Sequence, residues 1–248
     1  MTTDKSLHFV QASDFTAFHR KLAVLIGPYL NPDYTAADIG CGLALLDFEI
    51  ADKVKCIDAI DADGTIIENV KARIEQEYIS GHHSADRIRP ETCTSEDLGD
   101  RTWDIVLLSF YGTSYPALED LIGRAKHRAI IVLHGRHTNG RFDPYEDESK
   151  KMTAEELEPF LIKGGYTFKK MIVDLQFGLP FKSIEDIHGF LSEYVTPEPE
   201  ASGSDTAAAD IYEKQMLSIE ERIIKTDRYD YPYYLPNNFC VGIFVITK

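Results

Sequence analysis

A glycine-containing turn between a predicted strand and a predicted helix is the feature that most constrains the fold. The segment Ala37–Ala44 reads ADIGCGLA; it overlaps the end of the apolar stretch Thr35–Ile39 and leads into the helix-like Leu43–Asp52. Glycines at such a junction let the backbone turn sharply and approach a ligand, and the first helical amides face the crevice beyond the strand. A purely structural turn would also explain Gly40 and Gly42, so the turn alone does not define a binding site.

Predicted strands and helices alternate along the rest of the chain, which is typical of an α/β protein with a doubly wound, mostly parallel sheet. The 248 residues, 44% of them apolar, can bury the core of one large domain. The predicted strands are Thr35–Ile39, Val54–Ile60, Arg87–Cys93, Trp103–Ser109, Ala129–His134, Tyr166–Leu175 and Asn238–Thr247. The predicted helices are Asp14–Tyr29, Leu43–Asp52, Thr65–Tyr78, Tyr115–Lys126, Thr153–Lys163, Ser183–Tyr194 and Ile211–Ile224.

The charge balance disfavours nucleic-acid and membrane partners. The chain has 41 acidic and 26 basic side chains, a formal net charge of −15, and no basic block. Neither a secretory signal nor an apolar stretch of membrane-spanning length is recognisable, so we expect a cytoplasmic protein. The four cysteines are widely spaced without a Cys-x-x-Cys pair, which predicts free thiols and no metal site; they are Cys41, Cys56, Cys93 and Cys240.

An acidic residue ends the second predicted strand, and its spacing from the glycine turn is informative. Asp61 lies 21 residues beyond Gly40. A carboxylate there can accept hydrogen bonds from both ribose hydroxyls of an adenosine that lies across the sheet. The alternative is a cap for the following helix, a role for which Asp63 is equally well placed.

Together these motifs resemble the S-adenosylmethionine-binding half of class I methyltransferases. The resemblance runs in motif order from Phe15 to Leu175, and Asn238–Thr247 resembles the family's antiparallel seventh strand. It implies a single domain with a seven-stranded, mostly parallel sheet, an antiparallel last strand, and a helical cap inserted between the last two strands. The implied segments are an N-terminal helical lid (1–33), a cofactor-binding core (34–179), a cap (180–236) with a flexible loop (195–210), and the final strand (237–248).

The same resemblance implies the cofactor and its contacts. The family's glycine motif opens with an acid and continues Gly-x-Gly-x-Gly, whereas this chain has Ala44 in the third glycine place and Thr94 where an aspartate is common. Leu45 occupies the last place of the Gly-x-Gly-x-x-Gly fingerprint, which disfavours a dinucleotide. The implied S-adenosylmethionine-binding residues are Asp38, Gly40, Cys41, Gly42, Asp61, Ala62, Thr94, Ser95, Ser109 and Phe110.

Catalytic residues are harder to predict, because methyl transfer depends mainly on positioning and needs a base only for a protonated acceptor. His134 ends the fifth predicted strand and is the candidate base or orienting residue, with a structural histidine as the alternative. Tyr111 follows the fourth strand and is a candidate for the acceptor pocket, with packing as the alternative. Further candidates for contact with the acceptor are Tyr115, Arg136 and Arg141. A metal site formed by His134, His137 and Asp143 is disfavoured. The aromatic run Tyr229–Tyr234, with Phe177 and Phe181, could form either a roof over the acceptor or a flap that covers the core.

The expected function is methyl transfer from S-adenosylmethionine to a small-molecule acceptor. Two alternatives stay open. The chain could transfer an aminobutyl or aminocarboxypropyl group from the same cofactor site, or it could be a binding protein that keeps the fold without catalysis. The sequence leaves open whether the protein forms a homodimer.

Overall fold

The predicted glycine turn joins a strand to a helix in the computed structural model, which describes residues 3–81, 83–136, 152–194, 217 and 220–248. Contacts divide the chain into two compact units. The larger unit carries the glycine turn. The described residues of the smaller unit fall within 3–16 and 176–238.

The larger unit is built on a seven-stranded sheet. The strands of the chain are β1 (Thr35–Ile39), β2 (Cys56–Asp61), β3 (Ile88–Thr92), β4 (Trp103–Ser109), β5 (Ala125–His134), β6 (Thr167–Gln176), β7 (Leu179–Phe181), β8 (Ile224–Lys225), β9 (Tyr233–Leu235) and β10 (Asn238–Thr247). The sheet order is β3-β2-β1-β4-β5-β10-β6. The first five strands in this order pair in parallel, and β10 pairs antiparallel with β5. The predicted mostly parallel sheet with an antiparallel last strand is therefore confirmed.

Helices alternate with the strands, and side chains cap the start of some of them. The helices are α1 (Thr3–Thr16), α2 (Phe18–Ile26), α3 (Leu45–Ile50), α4 (Gly64–Ile79), α5 (Tyr115–Gly123), α6 (Ala154–Lys163) and α7 (Ile184–Tyr194). The Asp63 carboxylate caps α4 by accepting from the amide of Thr65 at 2.8 Å. At α6, Thr153 and Glu156 form a reciprocal capping box.

The core of the larger unit lies on both faces of its central strands. Seven consecutive residues of β10, Cys240–Ile246, are buried. A strand that is buried on both faces reads as one apolar run without polar alternation, which is why the sequence VGIFVI predicts it so clearly. None of the helices in the described ranges is long and apolar enough to cross a bilayer.

The first predicted helix is wrong in its extent. A single helix over Asp14–Tyr29 was expected, but the chain breaks at Ala17, whose φ of 53° is left-handed, and α2 begins at Phe18. A residue with positive φ cannot continue a right-handed helix. Most other predicted boundaries differ by a few residues; the largest differences are that β5 begins at Ala125 and α5 ends at Gly123.

The smaller unit contains a sheet that the sequence patterns did not predict. Strands β7, β9 and β8 form a three-stranded antiparallel sheet in that order, and α7 is the helix expected after Ser183. Aromatic pairs pack this unit, with Phe9 on Phe177 and Phe15 on Tyr234, each at 4.9 Å between ring centroids. Tyr229 is fully exposed, so the aromatic run does not act as one packed element.

Several predicted features lie outside the described residues. They are the flexible loop 195–210, most of the predicted helix 211–224, and the residues His137, Arg141 and Asp143. The assignments of residues 1–33 as a lid and 180–236 as an acceptor cap stay predictions.

Candidate functional site

A cleft of about 410 Å³ opens at the carboxyl ends of β1, β2, β3 and β4. In open α/β sheets ligands bind beyond the strand carboxyl ends, at the point where the strand order reverses. Here that point lies between β1 and β4, which are neighbours in the sheet although β2 and β3 come between them in the chain. The cleft is lined by Ile39, Gly40, Asp61, Ala62, Cys93, Thr94, Ser95, Glu96, Phe110, Tyr111 and Gly112.

The glycine loop forms one wall of this cleft. Gly40 and Gly42 have left-handed φ angles of 74° and 53°, and Ala44 adopts a similar angle of 54° at the place where the resemblance led us to expect a third glycine. The alanine therefore keeps the loop conformation at the cost of left-handed strain. The amides of Gly40 and Cys41 both donate to the carbonyl of Ile60, at 2.8 and 3.0 Å, which fastens the loop to the end of β2.

The Asp61 carboxylate ties the same loop to the next helix. One oxygen accepts from the amide of Gly42 at 3.0 Å and the other from the amide of Asp63 at 2.9 Å. The role of α4 cap belongs to Asp63, so the capping alternative for Asp61 is wrong. A carboxylate has about four lone-pair sites, so Asp61 keeps the capacity to accept from a ligand's hydroxyls while holding both amides.

Asp38 lies beneath the loop and does not line the cleft. Its side chain is 1% exposed, and it makes a hydrogen bond with the fully buried carboxyl of Asp47 on α3. Burial raises the pKa of Asp38 to about 7 and raises the pKa of Asp47 well above its ordinary value. Burial, with the carboxylates around it, also raises the pKa of the Cys41 thiol, so this cysteine stays a thiol.

The segment after β3 supplies the polar far wall. The Thr94 hydroxyl donates to the Asp97 carboxylate at 2.7 Å, which shapes a short 3-10 turn over Ser95–Asp97. The amide of Cys93 donates to the carbonyl of Asp61 at 3.0 Å and joins this wall to the end of β2. Glu96 lines the cleft with an exposed side chain.

The end of β4 supplies the aromatic wall. Phe110 has a left-handed φ of 53°, an uncommon conformation for an aromatic residue, and its amide donates to the carbonyl of Val132 at 2.7 Å. Such strain is found preferentially at functional sites. The Tyr111 ring lies so close to Gly40 that a Cβ at position 40 would overlap it.

His134 lies behind this wall and does not line the cleft. Its ring packs 5.6 Å from the Phe110 centroid and 4.8 Å from that of Phe239. Phe18 packs against both phenylalanines, at 6.2 and 5.7 Å. The imidazole is therefore part of an aromatic cluster one side chain away from the cleft.

The charges of the lining favour a cationic or hydroxyl-rich ligand. The eleven lining residues include two carboxylates, Asp61 and Glu96, and no Lys, Arg or His. A phosphate group would meet repulsion here, whereas ribose hydroxyls and a positive centre would meet acceptors. In the ranges that the structure describes, no group of three metal-ligating side chains is present.

The structure brings seven of the predicted site residues together around the cleft: Gly40, Asp61, Ala62, Thr94, Ser95, Phe110 and Tyr111. The predicted residues outside its lining are Asp38, Cys41, Gly42, Ser109 and His134. Sequence reasoning missed Glu96 as a site residue, although it directly follows the predicted site residues Thr94 and Ser95. Its position two residues beyond Thr94 was the available signal.

No protein-family model matches the chain, and a comparison with curated proteins gives no match. Solved structures do match. The YcgJ protein from Bacillus subtilis is 14% identical, with 94% of this chain and 98% of that chain covered and a TM-score of 0.57. A cyclopropane-fatty-acyl-phospholipid synthase-like protein from Lactobacillus casei is 15% identical, with 100% and 94% covered and a TM-score of 0.53.

A third match is magnesium protoporphyrin IX methyltransferase from Synechocystis, whose structure contains bound S-adenosylmethionine. It is 10% identical, with 96% of this chain and 81% of that chain covered and a TM-score of 0.51. At these identities the similarity concerns the fold. Strand order, the antiparallel β10 and these matches together show that the chain has the seven-stranded, Rossmann-like fold of class I methyltransferases.

Proposed function

We propose that the protein binds S-adenosylmethionine in the cleft beside Gly40 and transfers its methyl group to a small-molecule acceptor. The observation that carries the proposal is the position of Asp61. Its carboxylate stands at the cleft, at the end of β2, while it fastens the glycine loop through Gly42. A single side chain thereby fixes the loop and offers acceptors to a ligand.

The charge of the cleft supports this cofactor over a dinucleotide. S-adenosylmethionine carries a sulfonium and an ammonium group, one carboxylate, two ribose hydroxyls and no phosphate, so its net charge is positive. Asp61 and Glu96 match the positive and hydroxyl groups, and the lining has no basic side chain for a pyrophosphate. The bound S-adenosylmethionine of the Synechocystis methyltransferase supports the same cofactor for this fold.

The residues divide naturally between the parts of such a cofactor. Asp61 is placed for the ribose hydroxyls, and the wall from Cys93 to Ser95 for the base. Phe110 and Tyr111, at the end of β4, are placed for the methionine part and the acceptor. The cofactor supplies the activated methyl group, so the protein's task is to orient both reactants and exclude water.

The net charge of −15 and the lack of a basic block support a small-molecule acceptor over a nucleic acid. His134 would act as base or orienting residue only after a rearrangement, because its ring is packed against Phe110 and Phe239. We therefore propose that catalysis depends mainly on the positioning of the two reactants. His134 would serve as a base only for an acceptor that must lose a proton.

Calorimetry with S-adenosylmethionine and S-adenosylhomocysteine tests cofactor binding. Incubation with labelled cofactor and fractionated metabolites then tests the reaction. Release of S-adenosylhomocysteine with a labelled product supports methyl transfer, whereas methylthioadenosine would show transfer of the aminocarboxypropyl part instead. Absence of binding by the folded protein would contradict the proposal and favour a non-catalytic role.

A further inference from the structure

Two carboxyl groups are buried together beneath the glycine loop. Asp38 is the fourth residue of β1, and Asp47 is the third residue of α3, so the pair spans the loop from its strand side to its helix side. Asp38 is 1% exposed and Asp47 is 0% exposed. The loop between them contains Gly40 and Gly42.

The hydrogen-bonding partners of the pair are unusually few. Within the described residues, neither oxygen of Asp47 receives a hydrogen bond from an amide, hydroxyl or cationic side chain, and Oδ1 of Asp38 also receives none. The two carboxyls contact each other by a side-chain hydrogen bond. A carboxylate has no proton to donate, so this bond exists only if one of the two carboxyls is protonated.

The proton belongs on Asp47. A buried carboxylate with no donor is strongly disfavoured, and both oxygens of Asp47 are in that position, whereas only one oxygen of Asp38 is. The direction of the pKa shifts agrees, since burial and the charge of Asp38 raise the pKa of Asp47. Asp47 therefore donates and Asp38 accepts.

We propose that Asp47 is a positioning residue, which keeps its proton, donates it to Asp38 across the base of the loop, and so holds the Gly40–Gly42 wall in its ligand-binding shape. The expected effect on S-adenosylmethionine binding rests on the proposed function. The expected effect on the pH dependence of stability does not depend on any ligand.

The pair also predicts how stability changes with pH. Besides the pair's effect on each other, the charge of Asp61 at the end of β2 acts on Asp38, and the neighbouring Cys41 in the loop stays a neutral thiol. A carboxyl whose pKa is raised on folding binds its proton more tightly in the folded chain than in the unfolded chain. For Asp38 this stabilisation is therefore complete below the ordinary pKa of 3.8 and is lost as the pH rises through about 7. The pKa of Asp47 is also raised, so its contribution to stability falls in the same direction.

Two substitutions at position 47 separate donation from space filling. Asp47→Asn keeps a neutral hydrogen-bond donor of the same shape. Asp47→Leu keeps the branched shape of the side chain and removes the donor. The control is Asp52→Asn, the same acid-to-amide change at an exposed position just beyond α3. Each variant is measured by urea unfolding from pH 4 to pH 9 and by calorimetric titration with S-adenosylmethionine.

We expect Asp47→Leu to weaken cofactor binding about tenfold more than Asp47→Asn, because the leucine leaves Asp38 buried without a donor. Asp47→Asn should flatten the fall in stability above pH 4, because its amide donates to Asp38 at every pH. Asp47→Leu should keep a steep fall, and Asp52→Asn should match the wild type.

Equal affinity losses and equal pH slopes for the two position-47 variants would overturn the proposal and leave Asp47 as a packing residue. If the wild type does not bind S-adenosylmethionine, the proposed function fails, and the pH slopes still decide the role of Asp47. If Asp47→Leu does not fold, the comparison of Asp47→Asn with the wild type decides alone. An unchanged slope of unfolding free energy against pH would then overturn the proposal.

Discussion

The ring of Tyr111 lies directly against the Cα of Gly40, where a methyl group would overlap it. Gly40 directly follows β1 and Tyr111 lies two residues beyond β4, so the contact joins the ends of the two strands at the sheet's switch point, and both residues line the cleft. Position 40 is thus restricted twice, by its left-handed backbone and by the neighbouring ring.

This contact predicts unequal effects of the same substitution at the two loop glycines. Gly42→Ala meets only the backbone strain of a positive φ, because nothing lies within 4 Å of the added Cβ. Gly40→Ala meets the strain and the ring, so it should destabilise the protein by about 1 to 3 kcal/mol more. Urea unfolding of both variants measures the difference. A Tyr111→Ala background should abolish it, and equal losses in the wild-type background would contradict the packing.

Asp61→Ala should weaken S-adenosylmethionine binding by about 1 to 3 kcal/mol, because the ligand loses hydrogen bonds to a charged acceptor. Titration calorimetry on the folded variant measures the loss. Asp63→Asn is the matched control, since asparagine caps helices well and Asp63 does not line the cleft. Unchanged affinity after Asp61→Ala would show that the ribose is held elsewhere.

Glu96→Gln should reduce the preference for the cofactor over its product. S-adenosylmethionine carries one positive charge more than S-adenosylhomocysteine, and Glu96 is a carboxylate on the cleft wall. Its side chain is exposed, so we expect at most about a fivefold loss for S-adenosylmethionine and little change for S-adenosylhomocysteine. Asp100→Asn, outside the lining, controls for net charge, and an equal loss for both ligands would refute an electrostatic role.

Acid should destabilise the larger unit through His19. Burial, followed by the charge of Arg73, lowers the pKa of His19 to about 3. Below the ordinary value of 6.5 the unfolded chain therefore binds a proton that the folded chain does not, and stability falls as the pH drops from about 6.5 towards 3.

Urea unfolding at pH 4 and pH 7 measures this effect. His19→Gln should lose less stability on acidification than the wild type does. His188→Gln, at an exposed histidine of α7, serves as the control for removing an imidazole. If His19→Gln loses as much stability between pH 7 and pH 4 as the wild type does, the loss must come from other titratable groups.

The parallel sheet and the glycine turn could be predicted from the sequence because their signals are local. Apolar strand runs, helical periodicity and the turn glycines lie within a few residues of each other. The break at Ala17 could not be predicted, because alanine favours helices and no glycine or proline precedes it in the helix. Strands of two or three residues, such as β8 and β9, are too short for a periodic signal.

The site was predictable to the level of strand ends but not to the level of side-chain direction. The pattern placed Asp38, Asp61 and His134 correctly at the carboxyl ends of their strands. Whether each side chain enters the cleft depends on neighbours far along the chain. Asp38 makes a hydrogen bond with Asp47 beneath the loop, and the ring of Phe239 packs against His134.

The place of β10 between β5 and β6 has a consequence for biosynthesis. Both neighbours leave the ribosome well before residues 238–247, yet in the sheet order β6 adjoins only β10. A nascent chain that stops short of Asn238 therefore leaves β6 without a partner strand and β5 with an open apolar edge, and exposed edges of this kind favour aggregation. The sheet is completed only after synthesis of β10, so premature termination upstream of that strand should yield an insoluble fragment rather than a smaller folded protein.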